Sequence, residues 1–435
     1  MILLQQAQSH VKSRFYLSPL TGTHNMTKLF IEDLDLAGKR VLIRVDFNVP
    51  VKNGVVESDK RIRAALPTIK SALDKGASVV LMSHLGRPNG TKNTKYTLAP
   101  VAKRLEELLG RPVTFLNDCV GPEVEAACAK LEAGKVVLLE NVRFYLEEEG
   151  KAKDAEGNSI KADKAKVEEF RASLSRLGDV FINDAFGTAH RAHSSMVGVN
   201  LPRAAGYLLK KELDFLGEAV NKPVRPLVAI IGGSKISGKI DVIEALLPKV
   251  DKLLIGGGMA FTFLKAQGKE IGRSLCENDK VDLAKSLMAK AGDKLVLPVD
   301  TMVTKKLDFD ARTLDGLVEV SCDAIPADQE GVDIGSKSAA EYAEIVRNAK
   351  TVLWNGPMGV FEIDASAVGT YAVANALVEA TAKGAITIVG GGDSVAAVEK
   401  AGLEDKVSHV STGGGASLEF LEGKALPGVD ALSDK

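Results

Sequence analysis

The chain has 435 residues, enough for two or three domains of ordinary size. Hydrophobic residues make up 45% of it and charged residues 26%, which supports a normal packed core and excludes wholesale disorder. Lys and Arg number 56 against 57 Asp and Glu, a formal charge of -1, so the chain has no global pull toward nucleic acid or anionic membrane.

Residues 1–25 hold Lys12 and Arg14, scattered Ser and Thr, and no acidic residue. Organelle transit peptides share that composition, and so does an upstream start or tail with Met26 opening the folded protein; the second reading is adopted, with an organelle address left open. From Lys39 onward short β-branched runs alternate with helical patterns. The runs cover 41–45, 78–82, 136–139 and 180–182, then, after a gap, 227–231, 253–255, 295–297, 351–354, 386–389 and 407–410. Such alternation predicts βαβ units and parallel sheets covered on both faces. Ten strands exceed the usual sheet, so the expected fold is α/β with two doubly wound parallel-sheet, Rossmann-like domains.

The expected organisation is an extension at 1–25, a first domain at 26–206, an interdomain helix at 207–220, a second domain at 221–415 and a C-terminal segment at 416–435. The prolines of Asn221-Lys-Pro-Val-Arg-Pro226 stop the helix before the next strand. The charged stretch 145–170 reads as a solvated loop leading into a helix. No apolar run reaches the roughly 18 residues of a membrane span. The four cysteines, Cys119, Cys128, Cys276 and Cys322, have no paired spacing, which fits reduced thiols and a cytoplasmic location.

Ligands of parallel sheets sit at the carboxyl ends of the strands. In the first half these ends are basic and polar: Arg44-Val-Asp46-Phe-Asn48, Ser83-His84-Leu-Gly86-Arg87, Glu140-Asn-Val-Arg143, and Asn183-Asp184 through His190-Arg191-Ala-His193, with Arg61 on the helix approach after the first strand. Five arginines recurring at successive ends suit a small, multiply anionic metabolite, because guanidinium groups bind phosphate and carboxylate bidentately. His190 and His193 lack a third metal ligand and read as structural or substrate contacts.

In the second half the ends are rich in glycine: Gly232-Gly-Ser-Lys235-Ile-Ser-Gly-Lys239, Gly256-Gly257-Gly258, Asn355-Gly356-Pro357, Gly390-Gly391-Gly392-Asp393-Ser394 and Thr412-Gly-Gly-Gly415. Glycine allows close backbone approach, and helices starting just after it aim N–H groups at phosphate, so a nucleotide polyphosphate is expected. Gly233 to Lys239 begins like a P-loop, but Ile240 stands where Ser or Thr would hold Mg²⁺, and the other triplets lack the third glycine of a dinucleotide fingerprint.

Taken together, these motifs resemble the phosphoglycerate kinase family. The likeness rests on Arg44 to Pro50, Ser83 to Pro88, Asn183 to Ser195, Trp354 to Glu362, Gly390 to Asp393 and His409 to Ser417, in family order from about Met26 onward. The resemblance implies reversible phosphoryl transfer between 1,3-bisphosphoglycerate and ADP, giving 3-phosphoglycerate and MgATP on hinge closure. It assigns Asp46, Asn48, Arg61, His84, Arg87, Arg143 and Arg191 to the phosphoglycerate. Arg61, Lys235 and Lys239 fall to the transferred group, and Lys235 and Lys239 also to the nucleotide phosphates. Gly257, Gly331, Asn355, Gly356, Pro357 and Glu362 fall to the nucleoside, and Gly391, Gly392, Asp393 and Ser394 to the nucleotide phosphates. Asp393 is the implied Mg²⁺ ligand. A monomer, a C-terminal segment folded back on the first domain, and no nucleic-acid or membrane partner are also implied. The chain departs from the family at Ser234, at Ser394, and at Gly238, where an acidic residue is common. The alternative, a catalytically weak relative serving as a metabolite-binding scaffold, is disfavoured by the presence of Arg61, Lys239 and Asp393.

Overall fold

The computed structural model describes residues 28–154 and 156–435, so the extension expected at 1–25 lies outside the described residues. The first sheet is built from β1 (Arg40–Arg44), β2 (Ser78–Met82), β3 (Val113–Phe115), β4 (Val136–Leu138), β5 (Val180–Asn183) and β6 (Arg203–Ala205). Its strands lie in the order β6-β5-β1-β2-β4-β3, all parallel. The second sheet contains β7 (Leu227–Ile231), β8 (Lys252–Ile255), β9 (Leu295–Val296), β10 (Thr351–Asn355), β11 (Ile386–Gly390) and β12 (His409–Val410). Its order is β9-β8-β7-β10-β11-β12, again all parallel.

The apolar runs exist because both faces of each sheet are covered. Every residue of β2, β7 and β10 is buried. Alternate residues feed opposite cores, as the period of two requires. Ile43, Val79 and Leu138 pack with Ile62 and Ile69 of helix α1 (Lys60–Asp74), while Leu42, Val80 and Val137 meet Phe170 and Leu174. In the second sheet Leu227, Ala229 and Ile231 join Leu209, Leu213 and Leu216 of helix α2 (Tyr207–Asn221), and Val228, Ile230 and Trp354 meet Tyr342 and Val346.

Helix α2 follows β6 and precedes β7. Its apolar stripe belongs to the core of the second sheet, yet its first turn is held from the first: Asp184 Oδ1, just past β5, accepts from the Leu208 and Leu209 amides at 2.9 and 3.2 Å. Those are helix-start donors with no partner inside the helix. The C-terminal residues return to the first sheet. Gly428 N–H donates to Ala189 at 2.8 Å, Ser433 N–H to Arg203 at 2.9 Å, and Leu29 N–H to Ser433 at 2.8 Å.

Three expectations need correction. Strands β3 and β6 are edge strands of three residues each, too short to stand out from their surroundings. The gap before residue 351 holds an antiparallel three-stranded sheet, Asp300–Thr304 between Val318–Ser321 and Glu330–Ile334. The stretch read as a solvated loop begins with a short helix, Leu146–Glu149, in which Glu148 is buried. A small hairpin follows, Lys151–Lys153 paired with Ser159–Lys161.

Candidate functional site

Each sheet has a point where the chain departs to opposite sides, and the adjacent strand ends there leave a crevice. In the first sheet it lies between β1 and β5. Asp46 Oδ2 accepts from Arg61 Nη1, which aims that guanidinium from the first turn of α1. Asn48 Oδ1 accepts the Gly86 amide at 2.9 Å, and Arg143 Nη1 donates to the Gly86 carbonyl at 2.8 Å. One residue thus ties the loops after β1, β2 and β4 together. Gly86 has φ +62, and a Cβ there would lie 2.3 Å from the Tyr96 ring, so both its conformation and its neighbours require glycine. Arg87 is exposed and Arg191 half-buried, and neither guanidinium has a partner among the described residues, which leaves both open to an anion.

Arg44 differs from the other four arginines. It is fully buried, and its donors go to Ser195 Oγ at 2.8 Å, to the Val45 carbonyl and to His84 Nδ1 at 3.2 Å. The expected set of five converging arginines is therefore four, with Arg44 beneath them. Burial, helped by Arg44, Arg143 and Arg61, pushes the His84 imidazolium well below its ordinary pKa, so the ring is neutral near pH 7. Burial likewise takes His193 down to about 3. Both His190 and His193 have a buried Nδ1 without a hydrogen-bond partner, and among the described residues no group of three His, Cys, Asp or Glu is arranged to hold a metal.

In the second sheet the switch point lies between β7 and β10. The Gly232 amide donates to the Asn355 carbonyl at 2.9 Å and the Gly233 amide to the Pro357 carbonyl at 3.2 Å. The backbones touch here: a Cβ on Gly356, at φ +102, would come within 2.1 Å of the Gly232 carbonyl oxygen. Two adjoining cavities of about 340 and 360 Å³ open along these ends. Gly257, Gly331, Pro357 and Glu362 line the first, beside Phe261 and Phe309. Lys235, Lys239, Asn355, Gly356, Gly391, Gly392 and Ser394 line the second, and Asp393 borders both.

The second cavity meets the start of helix α3 (Gly392–Lys400), whose free amides and dipole favour phosphate. Lys239 is half-buried and reaches Asn355 Oδ1; burial lowers its pKa, and the Asp393 and Glu422 carboxylates pull the other way. Lys235 is exposed, with no partner among the described residues. Ser394 is fully buried, and its hydroxyl accepts the Gly356 amide, so this side chain joins the ends of β10 and β11.

The two half-sites approach each other at the loop Thr412 to Gly415. A Cβ on Gly187 would lie 2.6 Å from Asp46 Oδ2, 3.2 Å from the Thr412 carbonyl and 3.7 Å from Arg61 Nη1. Gly415 lines the groove of Lys239, and a Cβ there would lie 3.4 Å from His190 Nε2. Lys60, next to Arg61, pairs with Glu399 of α3 at 2.9 Å and with Glu404 at 3.0 Å. A salt bridge thereby links the helix that carries Arg61 to the helix that opens the phosphate groove.

Sequence reasoning missed several residues that hold this arrangement. Glu148 accepts from Ser195 N at 2.8 Å and Oγ at 2.6 Å, and Glu277 accepts from Ser237 N at 3.0 Å and Oγ at 2.6 Å, bracing the loop that carries Lys235 and Lys239. Glu212 of α2 accepts from His409 Nε2 at 2.8 Å and from the Thr412 amide at 2.6 Å. The partners are 40 to 200 residues apart, so no local signal marks them.

Residues 31–424 match the family model described as phosphoglycerate kinase. The chain is 58% identical over 414 residues to phosphoglycerate kinase 1 of Homo sapiens, covering 94% of this chain and 99% of the relative. It is 57% identical over 413 residues to phosphoglycerate kinase of Gallus gallus, with 93% and 98% covered. Among solved structures it is similar to phosphoglycerate kinase from Coxiella burnetii, with a TM-score of 0.80 at 42% identity, and to that from Pyrococcus horikoshii, with 0.78 at 33%; each comparison covers 93% of this chain and 98% of the other.

Proposed function

The chain belongs to the phosphoglycerate kinase family, and we propose that its two strand-end sites are the substrate halves of that reaction. The enzyme is a glycolytic kinase that transfers a phosphoryl group between ATP and the carboxyl of 3-phosphoglycerate, with ADP and 1,3-bisphosphoglycerate as the other pair. Arg87, Arg191 and Arg143, with His84 and Asn48, hold the phosphoglycerate on the first sheet. Asp46 accepts from its hydroxyl, the one uncharged donor on that substrate, and keeps Arg61 aimed. Gly257, Gly331, Pro357 and Glu362 form the nucleoside wall, while Lys235, Asn355, Gly356, Gly391, Gly392, Asp393 and Ser394 surround the nucleotide phosphates. The observation that carries this assignment is Gly187, within one side chain's reach of Asp46, Arg61 and the Thr412 carbonyl.

Phosphoryl transfer asks for alignment and charge neutralisation more than for covalent help. Arg61 from the first half and Lys239 from the second supply positive charge to the moving group. No general base is needed, because the acceptor carboxylate is ionised at neutral pH. Mg²⁺ rides on nucleotide phosphates with one or two carboxylates as protein ligands, a donor set that Asp393 at the junction of the two cavities fits. Bound there it would neutralise charge on the phosphate oxygens. Gly238 has only open space where a Cβ would stand and adds no carboxylate, so the burden falls on Asp393. In Asp393→Asn the Mg²⁺ concentration for half-maximal rate should rise several-fold; an unchanged requirement would remove Asp393 from the metal.

Both halves lie on one chain, which supports a monomer. A cytoplasmic location is supported by the family, and no helix among the described residues is long and apolar enough to cross a membrane. Water must be excluded during transfer, so the halves have to close on each other. Each substrate alone occupies only its own half, and only the pair favours the closed form. The radius of gyration from X-ray scattering should therefore fall most with 3-phosphoglycerate and a non-hydrolysable MgATP analogue together. Equal compaction with either ligand alone, and none further with both, would sink the two-half reading.

A further inference from the structure

Beneath Arg87 and Arg191 of the first half runs a chain of buried polar groups that ends at His84. Glu148 is 1% exposed, Ser195 and Arg44 0%, and His84 3%. Ser195 Oγ donates to Glu148 Oε1 at 2.6 Å, the Ser195 amide donates to Glu148 Oε2 at 2.8 Å, and Ser195 Oγ in turn accepts from Arg44 Nε at 2.8 Å. Arg44 Nη2 then reaches His84 Nδ1 at 3.2 Å.

The direction of every bond is fixed by chemistry. A guanidinium has donors only, so His84 Nδ1 must accept, and a neutral ring must then carry its proton on Nε2. Asp46 cannot take over the role of Arg44, since its Oδ1 stands 4.0 Å from Nδ1, beyond hydrogen-bond range. Among the described residues no group bonds Nε2, and it is not one of the fully buried unpaired atoms, so it keeps an edge to solvent.

We infer that Glu148 and Ser195 are positioning residues for the phosphoglycerate half-site: acting through Arg44, they hold His84 as the Nε2–H tautomer, a neutral donor for a substrate oxygen. The inference rests on the assignment of His84 to the substrate. Arg44 needs the support because it is a cation buried without direct contact with a carboxylate. Ser195 is the hinge pin that lets the Glu148 charge compensate Arg44 while the guanidinium fork still faces His84. Without that hydroxyl the guanidinium turns toward Glu148, and His84 Nδ1 loses its donor.

The test uses the full-length enzyme labelled with ¹⁵N-histidine and observed by NMR without substrates, the His84 signals being identified by their loss in His84→Gln. The wild type should show a single neutral Nε2–H ring. Ser195→Ala should convert His84 to a tautomer mixture and raise the 3-phosphoglycerate KM roughly five- to tenfold, the worth of one hydrogen bond, with the nucleotide KM unmoved. Glu148→Gln keeps one of the two acceptor oxygens for Ser195 while removing the charge, and should move both readouts the same way; it carries the test if Ser195→Ala does not fold. Unaltered His84 signals and KM in a folded variant would overturn the relay. If instead His84→Gln leaves the 3-phosphoglycerate KM unchanged, the substrate assignment fails, and the tautomer in the free enzyme still judges the relay.

Discussion

Replacing Arg61 with Ala should lower kcat by about 10²–10³-fold while the nucleotide KM stays within about threefold. The expectation comes from where the charge sits. Arg61 opens α1, its guanidinium is tied at one nitrogen to Asp46, and the rest is only partly covered, with 37% of the side chain exposed. On the proposed assignment, a group so placed, beside the Thr412 loop of the other half, would meet the phosphoryl oxygens as charge builds on them. An interaction made only in the transition state lowers kcat and kcat/KM equally when lost. Arg61→Lys would return the charge without the planar fork and should recover part of the rate. A kcat within about threefold of wild type in Arg61→Ala would make Arg61 a ground-state binding residue.

The residues legible in the sequence are those whose chemistry is local. Strand β7 is Leu-Val-Ala-Ile-Ile with all five positions buried, and a continuous apolar run of that length advertises a strand covered on both faces. Strand-end residues follow such strands directly, so the places of Asp46, His84, Arg143, Lys235, Asn355 and Asp393 past the strand ends could be found by reading what comes next. Edge strands and the antiparallel sheet carry weaker patterns. In Val318–Ser321 no residue is fully buried, and its alternation of Val with Glu and Ser reads equally well as loop.

Charge runs hide the opposite error. Glu147, Glu148 and Glu149 are indistinguishable in sequence, yet one of the three is almost fully buried, because Ser195 lies opposite it across 47 residues of chain. The same blindness applied to Arg44, which shares the motif of Asp46 and Asn48. Its side chain is on the β1 strand itself, buried among the sheet's own loops, while Asp46 lies beyond the strand end. A strand-end position predicts proximity to the cleft, and burial decides which residues touch the ligand and which hold those that do.

The second large effect is expected at the joint between the halves. Glu212 of α2 is 0% exposed and accepts from His409 Nε2, the Thr412 amide and the Thr412 hydroxyl, the last at 2.8 Å. His409 is also stacked on Phe215, with centroids 4.8 Å apart. Glu212→Ala removes an acceptor shared by three donors and leaves a cavity, so the melting free energy should fall on the order of 3–5 kcal/mol. At roughly 2–4 °C per kcal/mol for domains of this size, the shift is read easily by calorimetry. Glu212→Gln separates charge from shape. Burial alone would raise the Glu212 pKa, but His409 and Thr412 bring it below the ordinary carboxylate value. A depressed folded pKa contributes stability above the unfolded value, near 4.3, and that contribution fades as pH falls through the folded pKa. The melting difference between wild type and Glu212→Gln should hence be full at neutral pH and shrink as pH drops below about 4. The loop that Glu212 holds is the one that brings Gly415 beside His190, so the variant should also compact less when both substrates bind. A Glu212→Gln protein with wild-type melting at neutral pH would show that the carboxylate charge is fully offset by its desolvation, and that packing alone holds the joint.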